Sequence, residues 1–339
     1  MKAVIVRRSG PAADVLELTR DAPRPTAGPG EILVRVHATS VNPIDCAVRG
    51  GYGAEFFRTK GLRMPWIPGR DVAGVVEELG AGAQKFRRGQ RVYAGVTQGA
   101  TGEFINVPES WAASLPQSLS FNEAAALPYV ALTAWAALVD AAGLDAKRAA
   151  GKRVIVPRGA GGVGSFAIQL MRSWSASVAS ACSTGNVEFV RGLGADPVVD
   201  YSVEKISDSL RDYDAALDTT FDREEELLAA LKAGANAVYV SIVTPKIRFT
   251  DEFGVEDGLR RGDALLAQRR QEQGRLGRRY HWSFMEPNGK ALEEIAALVD
   301  AGKIRPVVDS TFPIEEIAAA HERCEARRAQ GKIVVTITS

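Results

Sequence analysis

Gly159, Gly161 and Gly164 stand at the spacing G-x-G-x-x-G, which suits the binding of a dinucleotide pyrophosphate. The first glycine allows a tight turn, the second lets backbone N–H groups approach the phosphates, and the third lets a helix pack close to a strand. The flanks agree with that chemistry. Arg153-Val154-Ile155-Val156 is a β-branched run that reads as a buried strand. After the turn, Val163, Phe166, Ala167, Leu170, Met171 and Trp174 recur in steps of three and four and form one apolar helical face. Phosphates at that helix N-terminus would meet free N–H groups and the positive end of the macrodipole.

A site for NAD usually ends its second strand in Asp or Glu, which holds the ribose hydroxyls. Here the second strand is expected over 177–182, followed by Ser183-Thr184-Gly185-Asn186, and no carboxylate occurs until Glu188. An acid would repel a 2′-phosphate, whereas hydroxyls and amides accept one. The expectation is therefore NADPH, although the loop holds no lysine or arginine.

These residues need a scaffold. The chain has 339 residues and a formal charge of +1, which excludes strong steering toward nucleic acid or a membrane surface. No apolar run is expected to span a bilayer, and no targeting segment precedes the first strand, so a cytoplasmic protein is expected. Cys46, Cys182 and Cys324 lie far apart and form no paired motif for zinc or a disulfide framework. Before Ser120 the chain is rich in short strands punctuated by glycine and proline, as in a partly open barrel. Ser120 and Glu123 match a capping box that opens an alanine-rich helical stretch broken near Pro128. Strands near 153–156, 197–200, 215–218, 237–242 and 280–284 then alternate with helical segments, which implies a doubly wound parallel α/β sheet. Residues 245–279 are expected to be an irregular, arginine-rich, solvated insertion, with a helix only over 263–273. A helix over 292–299 and a strand over 333–337 complete the chain.

At this level the chain resembles the zinc-free quinone oxidoreductase branch of the medium-chain dehydrogenase/reductase superfamily. Gly161-Gly162-Val163-Gly164 with Gln169 and Arg172 is similar to that branch's signature. Further segments resemble the mitochondrial reticulon-interacting oxidoreductases: Ser40-Val41-Asn42-Pro43-Ile44-Asp45, Gly51-Tyr52-Gly53, Gly69-Arg70-Asp71-Val72, 127–135 and 300–306. The resemblance implies a Rossmann domain at 124–285. A GroES-like β-barrel would be split between 1–123 and 286–339. It also implies a cofactor shell of Ala160, Gly161, Gly162, Val163 and Gly164 on the pyrophosphate, and Ser183 and Tyr201 on the 2′-phosphate. Thr219, Ile242, Thr244, Ser283 and Met285 would lie near the nicotinamide end, and Arg328 and Ala329 would form a C-terminal contact. Thr220-Phe221 departs from the usual Val-Gly after Thr219. Zinc-dependent members place cysteine where Asn42 stands and Gly-His-Glu where Gly69-Arg70-Asp71 stands, so no metal is expected.

Without zinc the acceptor oxygen needs hydrogen-bond donors, and Asn42 and Tyr52 are the candidates. The expected function is NADPH-dependent hydride transfer to a quinone or an α,β-unsaturated carbonyl, in a cleft between barrel and nucleotide domain. The expected assembly is a homodimer pairing near the strand at 237–243, with neither nucleic acid nor membrane as partner. A catalytically idle NADPH-binding interaction protein is the alternative. RNA binding through the arginines of 245–279 is a third reading that rests on charge alone.

Overall fold

The computed structural model describes residues 1–220, 222–234 and 236–337. The chain divides into two compact units, one of 1–132, 286–302 and 306–339, the other of 133–285 and 303–305.

The second unit is a six-stranded, wholly parallel sheet in the order Val198–Asp200, Ser177–Cys182, Arg153–Pro157, Ala215–Asp218, Val238–Ser241, Arg279–Trp282. Sequence order reverses between Arg153–Pro157 and Ala215–Asp218, so the crevice beyond their carboxyl ends is where such sheets bind ligands. Val154, Ile155 and Val156 are fully buried, as a central parallel strand requires. The expected doubly wound α/β fold is present.

One expectation is corrected. The stretch at 245–279 is helical rather than irregular, with helices Lys246–Phe253 and Val255–Arg275. Its glycines allow helix contact instead of breaking helices. A Cβ on Gly258 would lie 2.4 Å from the Phe249 carbonyl oxygen, and one on Gly262 would lie 2.7 Å from Lys246 Cγ. The arginines there are largely engaged within the fold. Arg260 pairs with Asp257 and Arg269 with Glu224 and Glu272, while Arg270 and Arg278 donate to backbone carbonyls. The edge strand is Arg279–Trp282, with Val238–Ser241 one place inside it, so the 237–243 run lies near the sheet edge as expected.

The first unit carries a seven-stranded sheet in which Glu31–Val41 is the long central strand. It pairs antiparallel with Asp71–Leu79, Phe104–Pro108 and Lys332–Thr336. Its register against Asp71–Leu79 shifts twice, between Leu33 and Val34 and between Val36 and Ala38. Such irregularities bend a strand and help it curl toward a barrel. The helix Phe121–Ala125 opens with the expected capping box of Ser120 and Glu123. The helix Gly289–Asp300 also belongs to this unit. Tyr93 Oη donates to the Leu292 carbonyl at 2.5 Å. The strand Lys332–Thr336 is hydrogen-bonded to Glu31–Val41, so the last strand lies in the barrel as expected.

Among the described residues one helical stretch, Phe121–Ala141, is long and apolar enough to cross a bilayer by length and composition alone, against expectation. It is mostly buried inside the protein, as core helices are.

Candidate active site and cofactor cradle

In the second unit the strand Arg153–Pro157 runs into a turn at Arg158, whose φ is 52°, and Gly161 then caps the helix Gly162–Ser173. Gly161 N–H donates to the Arg158 carbonyl at 2.9 Å, and Ser165 N–H makes the first helical bond to Gly161 at 2.8 Å. The N–H groups of Gly162, Val163 and Gly164 therefore precede the helical ladder and are available to an anion. The glycines have different jobs. A Cβ on Gly159 would meet Ser180 Oγ at 2.3 Å, and one on Gly164 would meet the Arg158 oxygen at 2.4 Å. Gly161 is freer, with the nearest such contact at 3.4 Å. Gly159 and Gly164 thus hold turn, strand and helix together, while Gly161 keeps the mouth of the turn open.

The other expected cofactor residues of this unit follow the carboxyl ends of the parallel strands. Ser183 follows Ser177–Cys182, and Asn186 Nδ2 donates to its Oγ at 3.0 Å. Tyr201 follows Val198–Asp200 and is joined to the same loop, its N–H donating to the Cys182 carbonyl at 3.1 Å. Thr219 Oγ1 donates to the Pro157 carbonyl at 3.0 Å, which ties its loop to the glycine turn. Thr220 folds inward, its N–H and hydroxyl both donating to Asp218 Oδ1 at 2.7 Å; Phe221 lies outside the described residues. Ile242 and Thr244 follow Val238–Ser241, and Ser283 and Met285 follow Arg279–Trp282. Ile242 N–H donates to the Asp218 carbonyl at 3.0 Å and Ser283 N–H to the Ser241 carbonyl at 2.9 Å.

Thr244 Oγ1 is buried and has no hydrogen-bond partner among the described residues. A buried hydroxyl without a partner is unfavourable by roughly 1–3 kcal/mol, and a bound polar group removes that penalty. An orphaned hydroxyl and an open glycine turn at the ligand end of a doubly wound sheet fit a nicotinamide dinucleotide.

In the first unit, Asn42 sits where the central strand meets the helix Pro43–Arg49. It is fully buried in a cluster of paired charges. Lys332 Nζ donates to Asn42 Oδ1 at 2.5 Å and to the Val41 carbonyl at 3.0 Å. Asn42 Nδ2 donates to Asp71 Oδ2 at 2.8 Å and to Asp45 Oδ2 at 3.2 Å. Asp71 also accepts from Ser40 Oγ and from the Tyr129 N–H, and Asp45 accepts from Arg70 Nε at 3.0 Å. Burial pushes the Asp45 carboxyl upward, and Arg70 opposes that shift. The cluster corrects the expected role of Asn42. Both amide hydrogens are committed to carboxylates, so none remains for a substrate oxygen. Asn42 holds Asp45, Asp71 and Lys332 in place. Lys332 was unexpected here, its only signal in the sequence being a lysine inside the closing strand.

Tyr52 is half-buried on the turn before the helix Ala54–Thr59, flanked by Gly51 and Gly53 with φ of 106° and 66°. Its N–H donates to the Ala47 carbonyl at 2.9 Å. Arg328 is exposed and Ala329 half-buried, both in the segment between the helix Ile317–Glu325 and the last strand. Elsewhere in this unit Cys46 Sγ lies 3.4 Å from His321 Nδ1, and both residues are buried. A hydrogen bond with Cys324, and then burial, push the Cys46 thiol up. Sequence distance had hidden this contact. Among the described residues no group of three or more His, Cys, Asp or Glu side chains is placed to hold a metal ion.

Two family models match: an alcohol dehydrogenase GroES-like domain over 28–117 and a zinc-binding dehydrogenase over 193–335. A protein of Danio rerio named NAD(P)H oxidoreductase RTN4IP1, mitochondrial, is 40% identical over 96% of this chain and 88% of its own length. The chain belongs to the medium-chain dehydrogenase/reductase superfamily, among these NAD(P)H oxidoreductases. An Arabidopsis thaliana protein named NADPH-dependent alkenal/one oxidoreductase, chloroplastic, is 30% identical over 99% of this chain and 79% of its own. The solved quinone oxidoreductase from Coxiella burnetii superposes with a TM-score of 0.83 at 27% identity, covering 99% of both chains. Membership supports NADPH as the cofactor. It also overturns the cytoplasmic expectation: the Danio rerio relative and the matching proteins of Mus musculus, Homo sapiens and Bos taurus are all named mitochondrial.

Proposed function

We propose that this oxidoreductase reduces a quinone or an α,β-unsaturated carbonyl with NADPH and without zinc. The observation that carries the proposal is the buried Asn42 cluster. The position that zinc-dependent members fill with cysteine holds an amide, bonded on both polar atoms by Lys332, Asp45 and Asp71. That arrangement offers a rigid polar wall and no thiolate. The alkenal/one and quinone oxidoreductases similar to this chain support the substrate class.

When bound, NADPH supplies a hydride to an electrophilic carbon. The turn 159–164 holds the pyrophosphate through backbone N–H groups. The Thr244 hydroxyl, with Ser283 and Met285, orients the nicotinamide end. Tyr52 Oη donates a hydrogen bond to the acceptor oxygen, while Asn42 positions the wall around it. Arg328 and Ala329 stay assigned to a cofactor contact. The edge strand Arg279–Trp282, with exposed Phe284 beyond it, supports pairing with a second copy. A dimeric mass in solution checks that pairing.

Reduced-nicotinamide absorbance, followed with NADPH and a panel of quinones and 2-alkenals before and after chelation, tests the reading. Acceptor-dependent oxidation that survives chelation is expected. Cofactor binding without turnover of any acceptor would favour the idle interaction protein, and chelator-sensitive turnover would restore a metal.

A further inference from the structure

The loop Ser183-Thr184-Gly185-Asn186 carries no cation of its own, but the fold brings one to it. Tyr201 is tied to the start of that loop through its bond to Cys182. Over the Tyr201 ring lies the guanidinium of Arg223, 4.8 Å from the ring centroid, within range of a cation–π contact. Arg223 comes from a distant stretch of sequence, where it caps the helix Glu224–Ala230. Its Nη1 donates to Glu226 Oε1 at 3.1 Å, and its side chain keeps 21% of its surface exposed. A planar guanidinium stacked on a ring loses little further freedom when it binds an anion, and its remaining N–H groups match phosphate oxygens.

We infer that Arg223, stacked on Tyr201, recognises the 2′-phosphate of the adenosine ribose and sets the preference for NADPH over NADH. This rests on the cofactor reading above and names the residue that discriminates. Tyr201 adds a hydroxyl on the ring beneath the cation, and Ser183 follows Cys182, to which the Tyr201 N–H is bonded. A second carboxylate, besides Glu226, opposes the cation. Asp200 pairs in register with Cys182, and hydrogen bonds from Thr184 and from the Ser202 N–H hold its carboxyl below the usual range. That carboxylate repels a phosphate and suits a free ribose hydroxyl. It was hidden from the sequence analysis because it arrives from the third strand rather than the second. The preference is therefore a contest between Arg223 and Asp200, with Glu226 partly neutralising the former.

The test is titration of wild type, Arg223→Gln, Arg223→Lys and Asp200→Asn with NADPH, NADH, adenosine 2′,5′-bisphosphate and 5′-AMP, read by calorimetry alongside thermal melting. Arg223→Gln should weaken NADPH and the bisphosphate by roughly tenfold, about 1.4 kcal/mol, and leave NADH and 5′-AMP unchanged. Arg223→Lys should recover part of the loss, and Asp200→Asn should tighten NADPH. Should Arg223→Gln melt early, wild type still decides, because the bisphosphate must weaken with salt more steeply than 5′-AMP. An Arg223→Gln protein that keeps its NADPH-to-NADH ratio, or equal salt slopes for the two nucleotides, overturns the inference. Wild type that binds neither dinucleotide overturns instead the cofactor reading beneath it.

Discussion

Lys332 bonds Asn42 across 290 positions of sequence, its ammonium 2.5 Å from the amide oxygen and 3.6 Å from Asp71 Oδ2. Lys332 and Asp71 are both buried, so this cation is the local counter-charge for a carboxylate that water does not reach. Removing one partner of such a set leaves the other buried and uncompensated.

Lys332→Met should therefore destabilise the barrel by about 3–5 kcal/mol at neutral pH. Urea unfolding with matched m-values measures it. A loss below about 1 kcal/mol would show that the lysine is dispensable to the cluster.

The glycine turn gives a paired prediction. Gly164→Ala forces a Cβ to 2.4 Å from the Arg158 oxygen and should lower stability by roughly 1–3 kcal/mol, with cofactor binding falling alongside. Gly161→Ala meets nothing closer than 3.4 Å within the protein, so it should melt like wild type and still weaken NADPH several-fold. If both variants melt and bind alike, the division of labour between these glycines is wrong.

His321 predicts a pH dependence. Burial, followed by the charge of Arg49, lowers its pKa from 6.5 to about 3. The folded chain then binds fewer protons than the unfolded chain between those values. Its stability is complete above pH 6.5 and is lost as pH falls toward 3, by about 1.4 kcal/mol per pH unit for one proton. His37 and His281 shift in the same direction. His321→Gln should flatten the acid limb of unfolding free energy against pH by up to one proton's worth. An unchanged slope would assign the acid sensitivity to other groups.

Tyr52 sits half-buried on a turn between two glycines in the left-handed region. Tyr52→Ala should lower kcat/KM for a quinone or enone by roughly tenfold, about 1.4 kcal/mol of transition-state stabilisation, with NADPH affinity and Tm held. Lost Tm with unchanged kinetics would make Tyr52 a packing residue.

Much of this was legible in the sequence because it is local. The 159–164 turn, the Ser120–Glu123 capping box and the β-branched strands declare themselves within a few residues of one another. The missed features are contacts at a distance. Asn42 looked like a substrate donor until Lys332, Asp45 and Asp71 were seen to use its whole amide. The stretch 183–186 looked far from any charge until Tyr201, bonded to Cys182, was seen to carry Arg223 over its ring and the third strand to set Asp200 opposite Cys182. The helices at 246–275 were missed for a different reason. Their arginine-rich sequence read as a solvated insertion, whereas Gly258 and Gly262 let another helix backbone and side chain lie against them.

The split of the barrel around the nucleotide-binding unit has a consequence for biosynthesis. A ribosome makes Glu31–Val41 and Asp71–Leu79 early, but Lys332–Thr336 only after the whole parallel sheet has been translated. Through that interval Asp45 and Asp71 have Arg70 but not Lys332 beside them, and the central strand lacks one neighbour. The nascent chain can thus complete a cofactor-holding domain while its barrel is still open. Lys332–Thr336 can pair with the central strand only after the parallel sheet has been synthesised, so translation order delays the delivery of Lys332 to Asn42 and Asp71.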